Sequence, residues 1–149
     1  MSDSPPFLAS RLDARDGRPA PSGIALAIVS FDTAAQTIRC LESIAGCTVA
    51  PDRVLVLDNA SREEDFGRLV AGCRTLPRSE ILLYRSATNL GFAAGSNFLV
   101  EAALADATCR FVALLNNDAI AEPSLLGLLS KAMAESPGPV GLAGGRMNR

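Results

Sequence analysis

The sequence predicts an α/β fold, a mostly parallel sheet with helices on both faces. Three observations point there. From Gly23 onward, short apolar runs alternate with longer stretches of helical period. The runs are apolar throughout rather than alternately polar, as strands buried on both faces are. Three of them end in a polar cluster, where a parallel sheet places its ligand-binding loops. With 149 residues, 48% of them apolar and 20% charged, the chain is long enough for one domain with its own core.

Residues 1–22 hold four of the nine prolines (Pro5, Pro6, Pro19, Pro21) with three Arg and three Asp. Such a composition buries little apolar surface and predicts a flexible N-terminal tail. The domain itself is predicted over residues 23–149. Ile24–Ser30 reads as its first strand, and Thr33 with Gln36 as a capping box opening a helix with the stripe Ala34, Ile38, Leu41, Ala45. Val54–Leu57 is the second strand; Ser61 and Glu64 form another capping box for a helix ending near Gly72–Arg74. Glu80–Tyr84 is the third strand, and Thr88–Gly91 turns into a helix carrying Phe92, Leu99 and Ala103. Phe111–Leu115 is the fourth. Pro123 suits the first turn of a last helix, with Leu125, Leu126, Leu129 and Met133 as its buried stripe. After Pro137-Gly138-Pro139, VGLAGG at 140–145 reads as a fifth strand, at which the fold is cut short.

Composition excludes several function classes. The chain has no His, which removes imidazole bases, Ser-His or Cys-His nucleophile pairs and His-ligated metals. A formal charge of −2 gives no polybasic surface for nucleic acid. Cys40, Cys47, Cys73 and Cys109 contain no CxxC spacing and read as buried, reduced thiols. No apolar run reaches the roughly 18 residues of a transmembrane segment, and residues 1–22 lack a signal peptide's apolar centre, so a cytoplasmic location is expected.

Right-handed crossovers put every strand-to-helix loop at the carboxyl edge of the sheet. Ser30-Phe31-Asp32, Asp58-Asn59-Ala60-Ser61 and Asn116-Asn117-Asp118 land there. They line one crevice if the strand ending at Ser30 lies between the other two. A carboxylate-rich crevice short of Lys and Arg suits an anionic ligand only with a divalent cation to neutralise it. Magnesium or manganese fits oxygen donors, with Asp118 the best ligand, Asn116 and Asn117 amides for ribose or phosphate, and Asp58 and Asn59 for a base edge. Plainer readings stand beside these. Asp32 and Asp58 suit helix N-termini equally well, Asn116-Asn117-Asp118 has the makings of an Asx-turn, and Gly91 and Gly95 can serve close packing alone.

The segments VSFD, VLDNAS, NLGFAAGSN and LLNNDAIAEP, in this order from about Ile24 to Gly145, together resemble the family 2 glycosyltransferases, in particular their rhamnosyltransferase-like branch. The resemblance implies a Rossmann-like GT-A fold whose first half grips a nucleotide-diphospho-sugar. It implies that Phe31, Asp32 and Asp58 contact the nucleobase, that Asn89 and Asn97 match polar positions beside it, and that Asn116-Asn117-Asp118 matches the DxD motif with Asp118 on Mn2+ or Mg2+. Asn116 replaces the first Asp of many relatives, leaving fewer charges for the metal. The acceptor implied is a glycan or a lipid-linked molecule, the latter met at the inner face of the membrane. Family members continue into an acceptor-binding half that carries the catalytic base, so this chain is expected to be a fragment that retains donor binding.

A rival expectation is a noncatalytic interaction module, in which the apolar surface that the missing C-terminal half would cover packs instead against a partner or a second copy as a homodimer. Other nucleotide folds fit less well, because VSFDTAAQ offers neither a Gly-rich basic loop nor G-x-G-x-x-G.

Overall fold

The computed structural model describes residues 6–12, 21–76 and 79–145. Its elements run β1 (Phe7–Leu12), β2 (Ile24–Ser30), α1 (Ala34–Ala45), β3 (Arg53–Asp58), α2 (Glu63–Cys73), β4 (Glu80–Arg85), α3 (Gly91–Leu104), β5 (Phe111–Leu114) and α4 (Leu125–Ala134). The strands form one five-stranded sheet in the order β1-β4-β3-β2-β5. β2, β3, β4 and β5 are parallel, and β1 runs antiparallel on the β4 edge.

The two faces separate by strand parity, as period-two side chains require. Leu26, Ile28, Val54, Val56, Ile81 and Leu83 face α1 and α2, meeting Cys40, Leu41, Ile44, Leu69 and Cys73. Ala25, Ala27, Leu55 and Leu57 face the other way, onto Leu99 and Ala103 of α3. Alanines and Gly95 let α3 lie close: a Cβ on Gly95 would stand 3.0 Å from Leu57 Cδ2 and 3.3 Å from Val29 Cγ2.

Phe7–Leu12 corrects the expectation of a wholly flexible tail. The averaged composition of residues 1–22 hid a proline-free run of six residues, FLASRL, that covers the open hydrogen-bonding edge of β4. Its Arg11 pairs with buried Glu80, whose other partner is Arg53, so this edge is held by a charge that needs both arginines. Residues 140–145 are not a strand: Leu142 is 91% exposed, and the three glycines in this stretch, with Pro137 and Pro139 just before it, favour turns over a ladder. Among the described residues there are five strands, but β1 stands in place of the one expected after α4.

Smaller departures have local causes. Phe92 is exposed instead of joining the α3 stripe. In α4 only Leu126 is fully buried, because β5 is an edge strand with little sheet beyond it to cover. Cys109 is half-buried, whereas the other three thiols are buried. Burial pushes the Cys73 thiol up to about 12, and burial plus the nearby Asp118 charge pushes Cys40 up to about 11, so both are unreactive near neutrality.

Candidate functional site at the carboxyl edge

β2 lies between β3 and β5. This is the strand order that brings the loops after β2, β3 and β5 to one edge, where the direction of winding reverses. Four loops therefore gather there: residues 31–33, 59–62, 86–90 and 115–118.

The loops after β2 and β3 hold each other. The Asp32 N–H donates to Ser61 Oγ (2.9 Å), and the Arg62 N–H and Nε donate to Asp32 Oδ1 (3.0 and 3.3 Å). The Arg62 N–H bond draws the Asp32 carboxyl below its ordinary value. Within the first turns of the two helices, the Ala34 N–H donates to Asp65 Oδ2 (3.1 Å). A carboxylate of each segment thus serves the N-terminus of the other's helix, where the backbone dipole favours negative charge. Asp32 (φ 50) and Ala60 (φ 69) sit in the left-handed region, a cost of roughly 1–2 kcal/mol for an alanine; the cross-loop bonds hold both tips in place.

Asp58 and Asn59 do not present their side chains to a base edge, as the sequence suggested. Asp58 is 0% exposed and Asn59 2%. Arg85 Nε stands 3.3 Å from Asp58 Oδ2, and its guanidinium also lies 4.1 Å over the Phe66 ring and pairs with Glu63 (2.7 Å). Burial raises the Asp58 carboxyl above its ordinary value, only partly offset by Ser61 and Arg85. Asn59 Nδ2 donates to Asn89 Oδ1 (2.9 Å) and Asn59 Oδ1 accepts the Leu90 N–H (2.9 Å). Asn89 Oδ1 also accepts the Gly91 N–H (2.8 Å), so Asn59 and Asn89 build the entrance to α3. The reason is geometric: in a parallel sheet buried on both faces, the last residues of β3 are still inside.

Asn117 is likewise turned inward. Its Nδ2 donates to Thr33 Oγ1 (2.6 Å) and Thr37 Oγ1 (3.0 Å). Phe31 (46% exposed), Asn97, Asn116 and Asp118 face solvent. The sequence pointed to these four as site residues and placed Ser61 in the second polar cluster, but it missed Arg85 and Thr37, which with Ser61 hold the edge together. A buried Thr one turn after Thr33, in the apolar stripe of α1, was the available signal.

Asp32, Asp58 and Asp118 share the carboxyl edge but make no common acidic hollow. Among the described residues no three His, Cys, Asp or Glu side chains gather as a metal site. Of these three carboxylates only Asp118 is exposed, an oxygen ligand that fits a hard cation whose remaining ligands are phosphate oxygens and water.

The model of the family described as glycosyl transferase family 2 matches residues 26–146. The chain belongs to this family. A search of curated proteins gives no match. Among solved structures, a mannosyltransferase from Pyrobaculum calidifontis in complex with GDP-Man and Mn2+ is 20% identical with a TM-score of 0.61, over 89% of this chain and 36% of that one. S. aureus TarS 1–349 in complex with UDP-GlcNAc is 19% identical with a TM-score of 0.59, over 75% of this chain and 31% of that one. These likenesses establish the GT-A fold for this family 2 chain, which spans about a third of the length of the structures it matches. No helix among the described residues is long and apolar enough to cross a membrane.

Proposed function

We propose that this chain binds the nucleotide-diphospho-sugar donor of a family 2 glycosyltransferase at the carboxyl edge of its sheet. The observation that carries this reading is the placement of β2 between β3 and β5, which gathers Phe31, Asn116 and Asp118 at the reversal of strand order. The order of NLGFAAGSN and LLNND supports membership in the rhamnosyltransferase-like branch.

In this reading Phe31 offers an apolar face to the base, with Asp32 behind it fixed by Arg62. Asn116 and Asn97 supply amides at the rim. Asp58 and Asn59 act from beneath, shaping the loops rather than touching the ligand. Asp118 holds Mn2+ or Mg2+, which when bound neutralises the diphosphate and stabilises it as a leaving group. The transfer proposed is inverting, with a hydroxyl of a glycan or lipid-linked acceptor displacing the nucleoside diphosphate at the anomeric carbon. The base that activates this hydroxyl is assigned to the further length that the matched structures have, on the same polypeptide or a partner. A cytoplasmic setting, at the inner membrane face for a lipid-linked acceptor, belongs to the same proposal.

Titration calorimetry of the chain with UDP, GDP and dTDP in MnCl2 tests it. Saturable heat with at least one nucleotide, lost in Asp118→Ala, is expected; no heat from any of them removes the reading.

Exposed Leu114, Ile120, Leu128 and Leu142 favour a second reading, an interaction module that pairs through the β5 and α4 side. A nucleotide-blind dimer in light scattering would select it; a monomer that binds nucleotide would select the first.

A further inference from the structure

The loop that carries Asp118 is fastened along one side of α1 and the turn that follows it. Asn116 O accepts the Cys40 thiol (3.6 Å), the Ala121 N–H donates to Ser43 Oγ (3.0 Å), Glu122 O accepts the Cys47 thiol (3.7 Å), and the Thr48 N–H donates to Pro123 O (2.8 Å). Its tightest fastening is Asn117, through Thr33 and Thr37.

The donors and acceptors of this junction are matched among themselves. Thr37 is 0% exposed. Its hydroxyl donates to Thr33 O (3.1 Å), which leaves two lone pairs for Asn117 Nδ2 and Ser30 Oγ, the latter at 2.8 Å and necessarily the donor. Both Asn117 amide hydrogens are taken, one by each threonine, so this NH2 group has none left for a phosphate. The network joins the end of β2, the first turn of α1 and the residue next to Asp118. It links the loop of Phe31 and Asp32 to the loop of Asp118.

The geometry points to Asn117 as a positioning residue, which, resting on the donor-binding reading above, sets the Asp118 carboxylate against the base-side loop so that one diphosphate can reach both. Asn117 and Thr37 then govern the gain in nucleotide affinity that the metal brings, not metal-free binding. Residues holding a metal ligand from behind commonly change metal affinity by about 10–100-fold when removed.

The test is calorimetry of the full chain with the nucleotide that binds the wild type, with and without MnCl2, supported by electron paramagnetic resonance of free Mn2+. Thr37→Val keeps the shape and removes the hydroxyl. It is expected to hold metal-free affinity within about twofold and to lose about tenfold of the Mn2+ enhancement. Asn117→Ala is expected to lose the enhancement to the same extent, the double variant no more than either single one, and Thr37→Ser to regain it. An undiminished enhancement in both single variants overturns the proposal and leaves donor binding standing. Equal losses with and without metal also overturn it, since they mark a general structural role. A wild-type chain that binds no nucleotide overturns the donor-binding reading and this proposal with it.

Discussion

Asp58 and Asp32 stand one loop apart and titrate in opposite directions. Burial lifts the Asp58 carboxyl above 3.8, and the Arg62 N–H lowers Asp32 below the same value. The stability effects follow with opposite sign. For Asp58 the folded state is favoured most below 3.8, and this advantage is lost as pH rises through the folded value. Asp32, and Glu63 drawn down from 4.5 by Arg85, contribute above their ordinary values and lose that contribution as pH falls through the folded ones. Carboxyl 13C shifts followed through acid are expected to show Asp58 protonating at higher pH than Asp32; the reverse order contradicts the burial described. Arg85→Met leaves the Asp58 charge uncompensated and is expected to cost about 3 kcal/mol at pH 7 in urea unfolding, and less at an acid pH low enough for Asp58 to have taken up its proton. An equal cost at both pH values would contradict the Asp58–Arg85 pairing. The sequence shows Asp58 at a strand tip. It does not show that the tip is still inside, because direction depends on the neighbours β2 and β4.

Elements were legible where a single strong period governs them. Ile24–Ser30 has the bounds its apolar run predicts, and the other parallel strands and the helices differ from their patterns by a residue or two. Caps were less legible, since a side chain that suits a cap has other partners once the chain folds. Thr33 makes no side-chain cap on α1; its hydroxyl accepts from Asn117 and the Asp65 carboxylate takes the cap role. β1 escaped because proline-rich flanks dominated the local average. Deleting residues 1–12 is expected to expose the β4 edge and strip hydrogen-exchange protection from the β4 amides paired to β1; unchanged protection would restore the flexible-tail view. Gly95→Val forces branched carbons against Leu57 and Val29 and is expected to destabilise by about 1–3 kcal/mol, read as a lower urea midpoint. An unaltered midpoint would mean that α3 does not sit as close to the sheet as described.

At the scale of the whole molecule, strand order decides where chemistry can occur, and no local pattern encodes it. The sequence placed three polar clusters at strand ends; only the fold shows that β2 separates β3 from β5. The fold also offers a rival location. At the amino edge a cavity of about 270 Å3 is lined by Asp52, Arg53 and Asp106, among others. There Arg53 is paired to Glu80 and Asp106, and the Asp52 carboxylate accepts the Ser22 and Gly23 N–H groups (2.9 and 2.8 Å). Those charges are already engaged in holding strand starts together, whereas Asp118 is exposed at the opposite edge. Paramagnetic broadening of backbone amide signals by Mn2+, in the presence of saturating nucleoside diphosphate, separates the two edges directly. Broadening centred on Asn116, Asn117 and Asp118 and reaching Phe31 is expected. Broadening centred on Asp52 and Asp106, or spread evenly over the surface, would contradict a cation-bridged donor site at the carboxyl edge.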